Sequence, residues 1–510
     1  MLTVHLMSIN NLLFNNSFYY IDIFLGLIGF VTILLVSVSI LLKNTFNKIG
    51  YVLKITSNYI VRLLKRHEIQ FCIIIVSLVV ISRVNFIYGD VNKGIRAPES
   101  IFSLQFLGID LQTGVILPTI KMLKGENFYD HVSSYGPSAN LTLAPFLKGL
   151  IDSKYCVGDG SISCLHVLYP FYIFFSILIF AAILFFGPQG KFLLYRLLII
   201  SIAILGIPGS LALERGNIDT VFMGLLWLAI TVGINQIHKF RIISVFIGGL
   251  IGYVSVGKMF LLVYSIPFIF ISPYPLLYLI TVLFVSLGLS YLPIIYGVKS
   301  DPFKLINTIQ SWSQGARYTY YYPKTLAYNY SISAMTSYIY FCQVMDSCDT
   351  RNILEIILNK IAYVMLFCLV FIVSGLRFLK FIIQNIWLKR LKKIFHYIWS
   401  SRVELGILLL SMSTAAINLL PDVSYAYRLL YSVPILCLLS DRITNKSVRI
   451  SLLISIFFFA FRSSWIEYGL DYRVLEWGSY RIGNVTTLLH YYFLIRTSYL
   501  LLDKRKLYEI

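Results

Sequence analysis

Long apolar runs alternate with short polar stretches along nearly the whole chain. A helix needs roughly 17–25 mainly apolar residues to cross a hydrocarbon layer of ~30 Å. The pattern therefore predicts an all-α polytopic membrane protein with about 13 spanning helices. They are expected near 18–42, 71–88, 163–187, 191–212, 218–236, 242–257, 259–272, 275–296, 357–379, 402–420, 427–441, 450–466 and 481–502.

Two short features qualify this pattern. The 242–272 run is divided at Gly257-Lys258, because two helices keep every later basic loop on one side of the membrane. The apolar stretch 138–151 is about half a span long and opens with Tyr135-Gly136-Pro137, which predicts a juxtamembrane or re-entrant helix. No remaining stretch is long enough for a large separate domain, so residues 1–510 are interpreted as one membrane domain.

Composition supports this interpretation. The chain is 58% hydrophobic and 13% charged, whereas soluble domains are about a quarter charged. The net charge of +20 is distributed between apolar runs, which favours membrane topology over nucleic-acid binding. By the positive-inside rule, basic loops at about 43–70 and 380–401 are cytoplasmic. The long loops at about 89–162 and 297–356 then lie outside, and the first apolar run is expected to remain uncleaved.

Four cysteines lie in the two predicted outer loops: Cys156, Cys164, Cys342 and Cys348. Cysteines that lie close together in an oxidising compartment favour disulfides. The spacing suggests the pairs 156–164 and 342–348, but four cysteines allow three pairings. Four free thiols packed as small apolar side chains are the alternative.

The first outer loop reads GIDLQTGVILPTIKMLKGENFYDHVSSYGPSANLTLAPF from Gly108 to Phe146. It resembles the first external loop of GT-C glycosyltransferases, especially bacterial polyprenol-phosphate-mannose α-mannosyltransferases and O-antigen-modifying glucosyltransferases. Four further stretches resemble that family in order: ERGNID (214–219), GLIGYVSVGKMFLLV (249–263), LAYNYSISAM (326–335) and LLPDVSYAYRLLYSVPIL (419–436). The chain departs from the family pattern at Gly136, where proline is usual, and at Asn217, where glutamine is commoner.

The resemblance implies a GT-C-type bundle and an inverting transferase at the outer face of the bacterial inner membrane. Its donor would be a sugar on polyprenyl (undecaprenyl) phosphate, and its acceptor a cell-envelope glycan or glycolipid, such as the O-antigen of lipopolysaccharide. Such transfer needs a base for the acceptor hydroxyl and cations for the departing phosphate. No cofactor is expected, and a divalent metal is possible without being required.

The resemblance makes Asp110 the expected catalytic base. The alternative is that Asp110 caps a helix beginning near Leu111, a role that suits a short carboxylate. Asp130 and Asp90, in the same loop, are the reserve candidates.

For the phosphate, the expected cations are Lys258, Arg215 and Arg428. An ionisable group between apolar runs is usually functional or paired. The alternative for Lys258 is snorkelling to the interface. Arg215 stands beside Glu214, so an ion pair within the turn is the alternative there. Other predicted substrate-binding residues are Glu214, Asn217, Asp219, Arg317, Tyr427 and Tyr135. For Asn217 and Asp219, helix capping is an equally good explanation.

Other chemistries find little support. The chain contains no GxxxxGK[ST], HExxH or GxSxG, and its histidines lack metal-ligand spacing. An O-antigen polymerase or ligase shares many spans and large outer loops, and stays open as an alternative. A transporter or flippase predicts charged residues in mid-span and a repeat of two halves, and the sequence shows neither. The sugar, linkage, acceptor and oligomeric state are left open.

Overall fold

The computed structural model describes residues 70, 72–81, 108–126, 135–156, 161–186, 193–235, 240–297, 399–419, 426–443, 445–463 and 478–502. The chain divides into two compact units, Met1–Cys72 and Ile73–Ile510, and nearly all described residues belong to the second. These residues form helices and no strand, which confirms the all-α prediction for this part of the chain. The spans predicted at 18–42 and 357–379 lie outside the described residues.

The helices follow the predicted order. In sequence they are α1 (Cys72–Ile81), α2 (Ile109–Leu111), α3 (Leu117–Leu123), α4 (Pro137–Asp152), α5 (Ser161–Phe185), α6 (Leu193–Leu205), α7 (Ile207–Arg215), α8 (Asp219–Asn235), α9 (Arg241–Gly257), α10 (Ser265–Ile271), α11 (Pro275–Tyr291), α12 (Arg402–Leu419), α13 (Ser432–Asp441), α14 (Lys446–Ser463) and α15 (Gly478–Leu501). A π-helical turn (Gln112–Ile116) joins α2 to α3, and 3₁₀ segments occupy Met259–Tyr264, Leu292–Tyr296 and Ala426–Tyr431.

Three segments are long and apolar enough to cross a membrane: Ile162–Phe185, Pro275–Tyr296 and Arg402–Leu419. The bent pair Leu193–Leu205 and Pro208–Arg215 makes a fourth if it counts as one span. Large apolar side chains on α5, such as Phe174 at 57% exposure, face outward, as expected of a surface that meets lipid. The described residues thus contain membrane-compatible helices, and the predicted total of about 13 crossings includes segments outside them.

The structure confirms one predicted break and corrects two other elements. Lys258 has an extended backbone between α9 and the next 3₁₀ segment, as the division at Gly257-Lys258 predicted. The span predicted at 191–212 is not one continuous helix but two helices bent by 57°, which form a broken span or a re-entrant loop. Pro208 lies in the first turn of α7, where its missing N–H is tolerated, but it cannot continue a preceding helix. The helix predicted to begin near Leu111 begins at Ile109.

Close helix packing depends on small residues. α9 packs along α11, and α14 along α15. A Cβ atom on Gly248 would lie 2.8 Å from both the Thr281 Cβ and the Tyr278 carbonyl oxygen of α11. Glycine at this position therefore lets the α9 and α11 backbones approach closely.

A buried ion pair joins four helices at one end of the bundle. Arg196 of α6 donates through Nε to Asp441 Oδ1 at 3.1 Å, and its Nη2 also bonds to Asp441. Arg196 Nη1 donates to the Leu184 carbonyl of α5, and the guanidinium lies over the Trp227 ring of α8. Because a buried charge is costly without a partner, this cluster fixes α5, α6, α8 and α13 together. The predicted site lies near the starts of α8 and α13, whereas Trp227 is at the middle of α8 and Asp441 at the end of α13.

Candidate functional site

The site is built where the first outer loop meets the ERGNID turn. Gly108 N donates to the Glu214 carbonyl oxygen at 2.7 Å. Gly108 and Gly216 both have positive φ, 72° and 67°, a backbone conformation that glycine adopts without strain. A Cβ atom on Gly216 would lie 2.8 Å from the Leu111 Cβ. Two glycines therefore allow segments about a hundred residues apart in sequence to pack directly.

Asp110 and Arg215 form a two-pronged ion pair across this contact. Arg215 Nη2 lies 2.6 Å from Asp110 Oδ1, and Nε lies 3.0 Å from both carboxylate oxygens. Such fork-shaped pairs fix orientation as well as charge. The Asp110 side chain is 13% exposed and that of Arg215 is 28% exposed, so the pair is accessible from solvent.

Asn217 connects this pair to the start of α8. Its Nδ2 donates to Asp110 Oδ2 at 3.0 Å, and its Oδ1 accepts from the Asp219 N–H at 2.9 Å. The capping role weighed for Asn217 is therefore present, together with a direct bond to the predicted base. One amide side chain therefore joins the Asp110 carboxylate to the backbone N–H of Asp219.

Lys258 forms a second, deeper ion pair. Its Nζ lies 2.6 Å from Asp219 Oδ2, with side-chain exposures of 3% and 0%. Tyr431 donates its hydroxyl to Asp219 Oδ1 at 2.7 Å. Burial lowers the pKa of Lys258, while the neighbouring Asp219 carboxylate acts in the opposite direction. Lys258 is buried and paired, so the snorkelling alternative is wrong.

Arg428 is the third predicted cation, and its guanidinium is also buried. The residue is 7% exposed, and its Cζ lies 4.3 Å from the centroid of the Phe260 ring. Lys258 Nζ lies 5.5 Å from the same centroid and 4.6 Å from that of Tyr135. Among the described residues, Arg428 Nε and Nη1 have no hydrogen-bond partner. Buried donors left without acceptors cost free energy, so these N–H groups can favourably receive an anion.

The Tyr135-Gly136-Pro137 turn packs against the end of α9 beside Lys258. Gly136 N donates to the Gly257 carbonyl oxygen at 2.8 Å. A Cβ on Gly136 would lie only 1.9 Å from the Val256 carbonyl oxygen. Glycine suits this position for a second reason, because a proline at 136 would have no N–H to donate.

Two tyrosines of α5 form hydrogen bonds with backbone carbonyls of the ERGNID turn and of the end of α7. Tyr172 donates its hydroxyl to the Asn217 carbonyl at 2.7 Å and also contacts the Ala212 carbonyl at 3.0 Å. Tyr169 donates to the Leu213 carbonyl at 3.0 Å. The Ala212 and Leu213 carbonyls also accept from the backbone N–H groups of Asn217 and Gly216, so the two hydroxyls add a second set of bonds to the turn that bears Arg215 and Asn217.

One predicted disulfide is present. Cys156, just after α4, is bonded to Cys164 near the start of α5. The pair predicted between Cys342 and Cys348 lies outside the described residues. Cys437 is free and buried.

The structure brings most of the predicted residues together. A chain of contacts joins Asp110, Arg215, Asn217, Asp219, Lys258, Tyr135 and Arg428. Glu214 contributes its backbone carbonyl. Arg317, Asp90, Asp130 and the side chain of Tyr427 lie outside the described residues.

The capping alternative for Asp110 is wrong. Gly108 occupies the N-cap of α2, Asp110 lies in the first turn, and no side chain makes a capping hydrogen bond there. Sequence reasoning missed Tyr431 and Phe260. Tyr431 follows Arg428 by three residues in a 3₁₀ segment, where positions i and i+3 lie on the same side, and this spacing was the available signal. Arg215, weighed as a partner of Glu214, pairs with Asp110.

Among the described residues, no group of three or more His, Cys, Asp or Glu side chains could hold a metal ion. Family models, curated proteins and solved structures were compared with the chain, and none of them matches.

Proposed function

We propose that the protein is an inverting glycosyltransferase that moves a sugar from polyprenyl phosphate to a cell-envelope acceptor. One observation carries the proposal: a solvent-accessible carboxylate, Asp110, is linked through Asn217 to a buried cluster that holds Lys258 and Arg428. A base beside cations is the arrangement that transfer from a lipid phosphate requires. The motif resemblance to GT-C enzymes supports the same class.

In the proposed reaction, the acceptor hydroxyl attacks the anomeric carbon while Asp110 takes its proton. The new bond joins the acceptor oxygen to the anomeric carbon. The bond from that carbon to the phosphate oxygen breaks, and its electron pair leaves with the lipid phosphate. One displacement inverts the configuration at the anomeric carbon.

The cations are suited to the negative charge that develops on the leaving phosphate. Arg428 offers Nε and Nη1, which lack acceptors in the described part of the chain, and a guanidinium binds phosphate oxygens through several N–H groups. Lys258 adds positive charge beside it, held in place by Asp219 and Tyr431. Preorganised donors of this kind stabilise charge without reorganisation during the reaction.

The proposed location is the outer face of the bacterial inner membrane, in a bundle of about 13 crossings. Three helices long and apolar enough to span are compatible with a membrane location. The Cys156–Cys164 disulfide supports placing the loop before α5 in an oxidising compartment. A donor with a polyprenyl tail would then reach the site from the outer leaflet.

Asp110→Asn tests the proposal, with Asp152→Asn as the matched control because Asp152 is exposed at the end of α4. Asparagine can still accept a hydrogen bond from Arg215, but it cannot take up the proton. Transfer from radiolabelled polyprenyl-phosphate sugars should fall by about 10²–10⁴ in Asp110→Asn, while Asp152→Asn keeps wild-type activity. Near-normal transfer by a membrane-inserted Asp110→Asn protein would remove Asp110 as the base and make Asp130 the next residue to substitute.

A further inference from the structure

The proposed base is already occupied in the structure. Arg215 contacts both oxygens of Asp110, and Asn217 donates to Oδ2 as well. A carboxylate has about four lone-pair sites, so little acceptor capacity is left for a substrate hydroxyl. In this arrangement Arg215 opposes the role proposed for Asp110.

The two ion pairs of the site differ in their freedom to rearrange. Lys258 and Asp219 are nearly fully buried, and Tyr431 adds a further bond to Asp219. Separating them would leave buried charges uncompensated. Asp110 and Arg215 face solvent in part, so exchanging one anionic partner of Arg215 for another costs much less.

Charge favours the exchange. The charged side chains that these contacts connect are three cations (Arg215, Lys258 and Arg428) and two carboxylates (Asp110 and Asp219), while the Glu214 carboxylate acts on Tyr169. Arg428 and Asp110 are both close enough to Lys258 to influence its pKa. A sugar-bearing lipid phosphate is a phosphodiester with one negative charge, so its arrival would balance the three cations.

We propose that the donor phosphate and Asp110 compete for Arg215, so that lipid-phosphate binding itself uncovers the base. This inference rests on the proposed function. It makes Arg215 a positioning residue that holds Asp110 while the donor is absent and turns to the phosphate when it binds. Asp110 then accepts an acceptor proton only with the donor in place.

A double-mutant cycle on ligand binding tests the competition without any transfer step. Binding of farnesyl phosphate to the full chain in lipid nanodiscs is measured by calorimetry for wild type, Asp110→Asn, Arg215→Gln and the double variant. Asp110→Asn removes the charge that holds Arg215, leaving at most a neutral hydrogen bond, and should tighten binding on the order of tenfold, within the range found for coupled neighbours. In the Arg215→Gln background the same substitution should change binding less than about twofold. Asp152→Asn should leave binding unchanged.

Two results would overturn the proposal. If Asp110→Asn does not tighten binding, Asp110 and the phosphate do not compete. If the gain persists without Arg215, it reflects only the removal of a nearby negative charge. Arg215→Lys covers the case in which Arg215→Gln does not fold, because lysine keeps the charge but lacks the fork, and the gain should shrink there also.

Inorganic phosphate, titrated in parallel, separates a lipid headgroup from free phosphate. Farnesyl phosphate carries the lipid phosphate without its sugar. Tighter binding of farnesyl phosphate in Asp110→Asn supports a lipid-phosphate ligand, whereas tighter binding of inorganic phosphate alone overturns the proposal. The cycle and the proposed function can fail separately. If Asp110→Asn abolishes transfer but does not change the affinity for farnesyl phosphate, the proposed function is retained and the competition is rejected. Retained transfer would reject Asp110 as the base whatever the cycle shows.

Discussion

Lys258 and Asp219 are 39 residues apart in the sequence, and their side chains meet at 2.6 Å with almost no exposure to solvent. This contact joins the end of α9 to the first residue of α8. Removing two charges from water is expensive, and their attraction offsets that cost only when the remaining hydrogen-bonding capacity is satisfied. The Tyr431 hydroxyl contributes such a bond to Asp219. Lys258 is thus a structural ion-pair partner as well as a proposed phosphate-facing cation.

Lys258→Met should destabilise the protein by about 3–5 kcal/mol, because it leaves Asp219 buried without its counter-charge. Adding Asp219→Asn removes the unpaired charge and should recover most of that loss. Thermal unfolding of the purified chain in detergent measures both changes. Lys148→Met, at an exposed position of α4, is the control and should unfold as wild type does.

The double variant also separates the two roles of Lys258. If Lys258 stabilises the leaving phosphate, transfer should stay roughly two orders of magnitude or more below wild type after stability has returned. Full activity in a stable Lys258→Met/Asp219→Asn protein would mean that Lys258 contributes to stability only.

Gly136→Ala should disrupt the contact between the first outer loop and α9. The added Cβ would lie 1.9 Å from the Val256 carbonyl oxygen. Because this oxygen belongs to the backbone of α9, relieving the clash requires one of the two main-chain segments to shift. Gly149→Ala is the matched control in the same helix region, since nothing lies within 4 Å of its Cβ position. It should be neutral or stabilise α4 by up to about 1 kcal/mol through helix propensity. Equal unfolding temperatures for the two variants would contradict this role for Gly136.

The sequence predicted most of the described helices and many residues that meet at the candidate site, but not how those residues pair. Hydropathy and length located α5 and α8, because crossing a membrane imposes a length that composition reveals. The charge rule placed the break at Lys258. The partner of Arg215 was sought in its neighbour Glu214, yet the fork reaches Asp110. That pairing depends on two glycines at positive φ, Gly108 and Gly216, which bring distant segments together. Such long-range contacts leave no periodic signal in one sequence.

The sequence also did not predict the bend between α6 and α7. Hydropathy is continuous through Gly206 and Pro208, so the window average sees one span. Backbone chemistry divides it, since Pro208 cannot donate an intrahelical hydrogen bond. A Cβ at Gly206 would also lie 2.7 Å from the Ser463 carbonyl oxygen of α14, so the bend lets α14 approach closely.

The Cys156–Cys164 bond should appear as a linked peptide pair in a non-reducing mass map of protein isolated from membranes. Cys437 serves as an internal reference, because it is free and buried and should react with alkylating reagents only after unfolding. Cys156→Ser should lower stability by about 2–3 kcal/mol, as expected for closing a short loop. Alkylation of Cys156 and Cys164 in the native, unreduced protein would contradict the bond and weaken the case for an oxidising compartment.

The last prediction concerns topology. If the loop that bears Asp110 faces outward, a cysteine at Lys124, exposed just after α3, should react with a membrane-impermeant thiol reagent in intact spheroplasts. Cysteines at Arg241 and Lys446, exposed at the starts of α9 and α14, should react only after permeabilisation. The physical reason is the charge rule, because basic residues near span ends stay on the cytoplasmic side during insertion.

Each of these variants is compared with its parent protein, so that reaction at the natural cysteines is subtracted. Arg241 and Lys446 lie at two different predicted cytoplasmic turns, and they must behave alike for the alternation of spans to hold. Labelling of Lys124→Cys only after permeabilisation would place Asp110 in the cytoplasm. A donor in the outer leaflet could not then reach Asp110, and the proposed transfer at that face would fail. Labelling of Lys446→Cys in intact spheroplasts would instead locate an error in the spans between α9 and α14, since the position of Asp110 is tested independently by Lys124.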